Sequence, residues 1–187
     1  YCAPFNADEV LVVDTELGST YTIAAAGADG DPEDFKWAGV AALGERLYCA
    51  PHNAGGVLVI DPATGQTHTI ETGRSGAGKW HGIAALGGKL YCAPFNADEV
   101  LVVDTELGST YTIAAAGADG DPEDFKWAGV AALGERLYCA PHNAGGVLVI
   151  DPATGQTHTI ETGRSGAGKW HGIAALGGKL YCAPFNA

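Results

Sequence analysis

Short apolar runs recur along the chain between turns rich in glycine and proline, and none keeps a 3.6-residue period over a helical length. The stretch Trp37–Ile70, WAGVAALGERLYCAPHNAGGVLVIDPATGQTHTI, shows the pattern. GVAAL is apolar, begins at Gly39 and is followed by Gly44, so it predicts a strand with LGER as the hairpin turn. RLYCA alternates and predicts a second strand, which Pro51 ends because proline cannot donate to a ladder. GVLVI is a β-branched third strand. DPATG closes it as a type I turn, with Pro62 directly after Asp61 and a glycine at the end. QTHTI alternates polar and apolar and predicts a fourth strand.

The four strands differ in a way that places them. The first is small (Gly39, Ala41, Ala42), as it must be where repeats crowd round an axis. The third is the bulky core strand, and the fourth is half polar because one side meets solvent. Four short antiparallel strands in each unit predict a propeller blade. A β-sandwich of unrelated hairpins is the rival, but it does not account for one gradient recurring in every unit.

Residues 91–180 repeat residues 1–90 without a change, and residues 181–187 begin a third copy. Each copy divides again at Tyr48, giving units 1–47, 48–90, 91–137 and 138–180 and a closing overlap at 181–187. Periods of this size mark arrays, solenoids or propellers. Identity over 90 residues points to an engineered or very recently amplified chain, and engineering is favoured. The expected fold is all-β: a β-propeller of four-stranded antiparallel blades, four blade equivalents per chain.

The termini then acquire a meaning. With Tyr1 in a second strand, the chain starts one strand into a blade and ends on a first and a second strand. The last two strands can complete the blade that the start leaves unfinished, removing exposed edges. The two terminal copies of YCAPFNA compete for one slot. Two chains forming an eight-bladed ring with twofold symmetry are the expected partners, and a single four-bladed ring is the alternative.

The unit GVAALGERLYCAPHNAGGVLVIDPATGQTHTI resembles the YVTN-type and NHL-like β-propeller repeats. Those read roughly G-V-A-V, a turn, L-Y-V-x-N, a loop, V-x-V-I-D-x-x-T-G and a last β-branched strand. The spacing from Tyr48 to Asp61, and from Tyr1 to Asp14, fits that pattern. Cys49 and Pro51 depart from it, and TELG at Thr15–Gly18 replaces PATG in alternate units. Kelch repeats share the rhythm, but no Gly-Gly pair directly follows the second strand, and His68 or Tyr21 stands where they carry tryptophan. The resemblance implies the propeller fold and no single activity.

Charge narrows the partners. The chain carries net −12, with −7 on residues 1–47 and +1 on residues 48–90, repeated in the second half. That disfavours nucleic acid and anionic membrane. It also sets acidic units beside neutral-to-basic ones. No apolar run nears the ~18 residues that cross a bilayer, and no signal-peptide pattern opens the numbered chain. Five cysteines occupy one position of the repeat, too far apart to pair within the chain, and read as small buried hydrophobes.

Candidate chemistry is sparse. Asp29, Asp31, Glu33 and Asp34, with Asp119, Asp121, Glu123 and Asp124, put dense hard-oxygen ligands on a loop, which suits Ca²⁺. The spacing is not that of an EF-hand, and a solvated acidic loop is the plain reading. ETGRSGAGK lacks phosphate-loop spacing. Of His52, His68 and His81 and their copies His142, His158 and His171, only the ring-facing His81 and His171 stay as axial metal candidates. Trp37 and Trp80 read as blade packing, with a sugar platform as the alternative. No nucleophile elbow or acid–base pair is found, so no catalytic residue is assigned. A non-catalytic scaffold without a cofactor is the expected function. A loop-face module for Ca²⁺ or a glycan and a propeller-type hydrolase or lactonase are the competitors.

Overall fold

The structure, a computed structural model, describes residues 1–28, 34–118 and 125–186. Every regular element among them is a strand. Three four-stranded antiparallel sheets follow one another in chain order. The first is β3 (Trp37–Leu43), β4 (Arg46–Pro51), β5 (Gly56–Asp61) and β6 (Gln66–Glu71). The second is β7 (Trp80–Leu86), β8 (Lys89–Pro94), β9 (Glu99–Asp104) and β10 (Ser109–Ala114). The third is β11 (Trp127–Leu133), β12 (Arg136–Pro141), β13 (Gly146–Asp151) and β14 (Gln156–Glu161). Two half-sheets flank them: β1 (Glu9–Asp14) with β2 (Ser19–Ala24), and β15 (Trp170–Leu176) with β16 (Lys179–Pro184).

Local chemistry sets each turn. The Asp14 carboxylate accepts from the backbone N–H groups of Glu16 and Leu17 at 3.0 and 2.9 Å, and Asp61 does the same for Ala63 and Thr64. The following glycines, Gly18 and Gly65, then take φ of +61° and +66°, which a side chain would resist.

The first strand of each blade begins at tryptophan, two residues earlier than the glycine boundary suggests. A register shift between Trp37 and Val40 lets Trp37 pair with Pro51, so Pro51 ends β4 from within. The Trp37 indole N–H donates to the carbonyl of Gly56 at 2.9 Å, tying first strand to third. Trp80 does so to Glu99 at 2.8 Å and Trp127 to Gly146 at 2.9 Å.

The core lies between blades. Successive residues of a strand face opposite neighbours. Tyr48, Val57 and Val59 pack with Trp80, Leu90, Cys92, Leu101 and Val103 of the next blade. Cys49, Leu58 and Ile60 turn the other way, onto Val10, Val12 and Ile23. A blade is therefore apolar on both flanks and needs a neighbour on each.

At the inner strands the neighbours nearly touch. A Cβ on Gly39 would lie 2.8 Å from the His81 carbonyl oxygen, one on Gly82 2.6 Å from that of Ala128, and one on Gly129 2.6 Å from that of His171. Only glycine fits in that line. Gly172, next in order, would meet nothing closer than Ala183 at 3.8 Å. The arc stops there.

The two terminal copies of YCAPFNA take different places. Cys2 donates its backbone N–H to Leu11 at 2.8 Å in a single bridge beside β1, while the second copy runs through β16. In an open arc the two do not collide. All five thiols are free. Cys49, Cys92 and Cys139 are buried, which pushes the Cys49 thiol up to about 12 and the other two higher still. Cys2 is exposed and Cys182 half-buried.

Gly82→Ala is expected to cost roughly 1–3 kcal/mol by overpacking, read as a lower urea midpoint. Gly55→Ala, whose Cβ meets only Glu71 at an ordinary 3.5 Å, is expected to stay within about 0.5 kcal/mol.

Candidate functional site

Lysine precedes the tryptophan at the start of every first strand: Lys36, Lys79, Lys126 and Lys169. These lysines build the face around the axis. Their backbones relay hydrogen bonds from blade to blade. Lys36 donates to the Phe5 carbonyl and accepts from His52, then Lys79 donates to His52 and accepts from Phe95. Lys126 donates to Phe95 and accepts from His142, and Lys169 donates to His142 and accepts from Phe185, all at 2.6–3.0 Å.

The lysine side chains fold under the same face. Lys79 Nζ donates to the carbonyls of His52, Asn53 and Gly76 at 3.2, 3.1 and 2.9 Å. Burial draws its pKa down to about 8, against the pull of the Asp34 carboxylate. Lys36 and Lys126 donate to the carbonyls of Asn6 and Asn96 at 3.3 and 3.0 Å and also reach the carboxylates of Asp8 and Asp98, both at 3.2 Å. Each lysine thus satisfies carbonyls of the preceding blade's loop.

This relay fixes a belt of rings. Phe5, His52, Phe95, His142 and Phe185, one from each successive blade, stand 5.2–5.7 Å apart between centroids. Phe35 and Phe125 pack outside it, on Phe5 and Phe95. His81 and His171 lie inward of the belt, 4.7 Å apart with planes at 88°. They come from alternate blades. The inner strand between them carries Ala128 in the same position, which leaves them room to meet.

The four imidazoles divide into two kinds. His52 and His142 are held through Nδ1 by Asn53 and Asn143, each at 3.1 Å. Among the described residues, His81 and His171 have ring contacts and no hydrogen-bond partner. Burial lowers the pKa of all four. For His81 the neighbouring imidazoles of His171, His52 and His142 lower it further, to about 3. The axial pair is therefore neutral at pH 7, with nitrogen lone pairs to offer.

His81 and His171 stand on the first strands β7 and β15, one residue after Trp80 and Trp170. His68 and His158 sit exposed on the outer strands β6 and β14. Of the acidic loop, Asp34 is half-buried near Lys36, Trp37 and Asn53. Asp29, Asp31, Glu33, Asp119, Asp121, Glu123 and Asp124 lie outside the described residues. Among the described residues no three His, Cys, Asp or Glu side chains of one chain are grouped to hold a metal. Trp37, Trp80 and Trp127 are buried, which leaves no tryptophan face there for a sugar. Phe5, Phe35, Phe125, His52 and Asn96 instead line an open bowl of about 610 Å³ on the axial face.

The Phe/His belt and the lysine relay are what sequence reasoning missed. Their signals were present: F or H after every YCAP, and KW in every unit.

Comparison with known protein families and with curated proteins finds no match. Solved structures do match. Virginiamycin B lyase from Staphylococcus aureus aligns at a TM-score of 0.78 and 11% identity, over 96% of this chain and 57% of that one. Another, a streptogramin B lyase, aligns at 0.72 and 15%, over 96% and 56%. Kuenenia stuttgartiensis hydrazine synthase aligns at 0.60 and 20%, over 78% and 41%. The fold is a β-propeller. At these identities the likeness extends to the fold alone, and the chain spans a little over half the length of the two lyases.

A thiol reagent is expected to label Cys2 and Cys182 of an isolated folded chain quickly, and Cys49, Cys92 and Cys139 only after unfolding. Counting the thiols labelled before and after denaturant checks this.

Proposed function

We propose that this chain is a non-catalytic, symmetric scaffold, of designed or newly amplified origin, whose two copies close one eight-bladed ring by completing each other's split blade. An internal comparison carries the reading. Val103 and Leu101 of β9 are 0% and 1% exposed, while the same residues on β1, Val13 and Leu11, are 49% and 39% exposed. Tyr91 of β8 is 2% exposed and its counterpart Tyr181 of β16 is 56% exposed. One sequence is buried in the complete blade and bare at the two ends of the arc.

The complete blade supplies a template for the pairing. β8 meets β9 with Lys89, Leu90, Tyr91 and Cys92 opposite Asp104, Val103, Val102 and Leu101. Transferred to the ends, Lys179, Leu180, Tyr181 and Cys182 of one chain face Asp14, Val13, Val12 and Leu11 of the other. The Trp170 indole has no acceptor among the described residues, and the carbonyl matching that of Glu99 belongs to Glu9 of the second copy. Gly172 has the space that the second copy's β3 would fill. Tyr1–Ala7, which has a single bridge to β1 and otherwise holds to Phe35 and Lys36 through Phe5 and Asn6, is the copy that gives way to the six-residue β16. An arc that overlays 57% of a propeller chain leaves roughly half a ring for the partner. End-to-start contacts made twice close a twofold ring.

Perfect duplication supports the absence of catalysis, since a single asymmetric pocket does not arise twice in one chain. Light scattering after size exclusion is expected to give twice the 19.1 kDa chain mass, with Cys182 now protected from the thiol reagent. Deleting residues 179–187 or introducing Gly172→Ala is expected to yield monomers, and deleting residues 1–7 to tighten the dimer. A monomer at all concentrations, or an open ladder of larger species, sinks the reading.

The aromatic bowl favours a second reading, a loop-face module for a glycan. Calorimetry with common sugars tests it, and the absence of heat removes it.

A further inference from the structure

His81 and His171 are the one pair of imidazoles on the axis left without hydrogen bonds among the described residues. The ring proposed above brings a second pair to the same axis, again on alternate blades. From this convergence we infer that the closed ring holds one divalent ion of the zinc or copper class on its axis, bound by His81 and His171 of both chains. The inference rests on the two-chain ring, because one chain supplies only half of the ligands.

The spacing fits. Imidazole nitrogens bind zinc at about 2.0–2.1 Å, which puts ring centroids about 3.2 Å from the ion. Neighbouring centroids are then about 4.5 Å apart in a square arrangement and about 5.2 Å in a tetrahedral one. The observed separation is 4.7 Å. The 88° between the planes is that of two rings standing along the axis a quarter-turn apart, the rotation between alternate blades of eight. Ala38 and Ala128 occupy the same position on the intervening inner strands, so nothing larger than a methyl separates the histidines.

The surroundings fit the same class of ion. Imidazole without carboxylate suits zinc, copper or nickel rather than calcium or magnesium. Both side chains lie against the belt, His81 on His52 and Phe95, His171 on His142 and Phe185. Those contacts restrict the rings before an ion arrives, which reduces the ordering that binding requires. His52 and His142 are engaged with Asn53 and Asn143 and are not ligands. A net charge of −12 per chain favours any cation near the ring.

The test uses the untagged full chain with Cys2→Ser, so that the accessible thiol does not compete. Zinc is titrated calorimetrically and cobalt(II) spectroscopically, with oligomer mass followed in parallel. One ion per two chains is expected, and cobalt bands of nitrogen coordination. His81→Ala or His171→Ala is expected to weaken binding at least 100-fold while the dimer persists. His68→Ala with His158→Ala is expected to leave it unchanged. A dimer that takes up neither ion, or one whose stoichiometry survives His81→Ala with His171→Ala, overturns the axial site and leaves the ring reading standing. A monomeric chain overturns both.

Discussion

The close approach of the inner strands governs this molecule. Where Gly39, Gly82 and Gly129 face the next blade, two backbones lie so near that a single methyl has no place. That contact sets the radius at the axis, and the radius sets everything further out. It brings the apolar flanks of adjacent blades together, so that Tyr48 and Val59 of one are sealed by Trp80 and Leu101 of the next. Apolar burial between blades then supplies the main stabilising term, as in any core. The tryptophan indoles hold first strand to third and keep each blade from shearing as it packs.

Around the glycine line runs a second constraint, polar instead of steric. Loops that crowd an axis bring carbonyl groups away from water, and those groups need partners. The lysines before each tryptophan meet this need twice, through the backbone relay and through Nζ. With their charge directed under the loops, the surface above is left to phenylalanine and histidine. The character of the axial face, aromatic with neutral imidazole at its centre, therefore follows from how the loops beneath are satisfied.

Much of this was legible in the residues. Strand order, the two terminal half-sheets and the turn chemistry of Asp61 and Gly65 are local properties, written in alternation and in Pro and Gly placement. The place of His81 on a first strand, directly after Trp80, is local in the same way. What escaped reading depends on distances between blades. The bulge at Trp37–Val40 moves a strand start by two residues without any mark in composition. The Phe5–His52–Phe95–His142 belt links positions 43 to 47 residues apart, and no periodicity within a strand reports on them. The role of Lys79 was hidden because a lysine beside glycines reads as solvated. Only the loop curling over it shows otherwise.

The identity of residues 91–180 with residues 1–90 has a kinetic cost. Each strand of the first half has a stand-in of equal affinity in the second, so a nascent chain cannot distinguish its proper neighbour from the duplicate. Contacts with the wrong half satisfy the same hydrogen bonds and bury the same side chains, and no local energy difference rejects them. Natural arrays escape such ambiguity by sequence drift. Here only chain connectivity and the order of synthesis discriminate, so the two halves compete for the same neighbours as the chain folds.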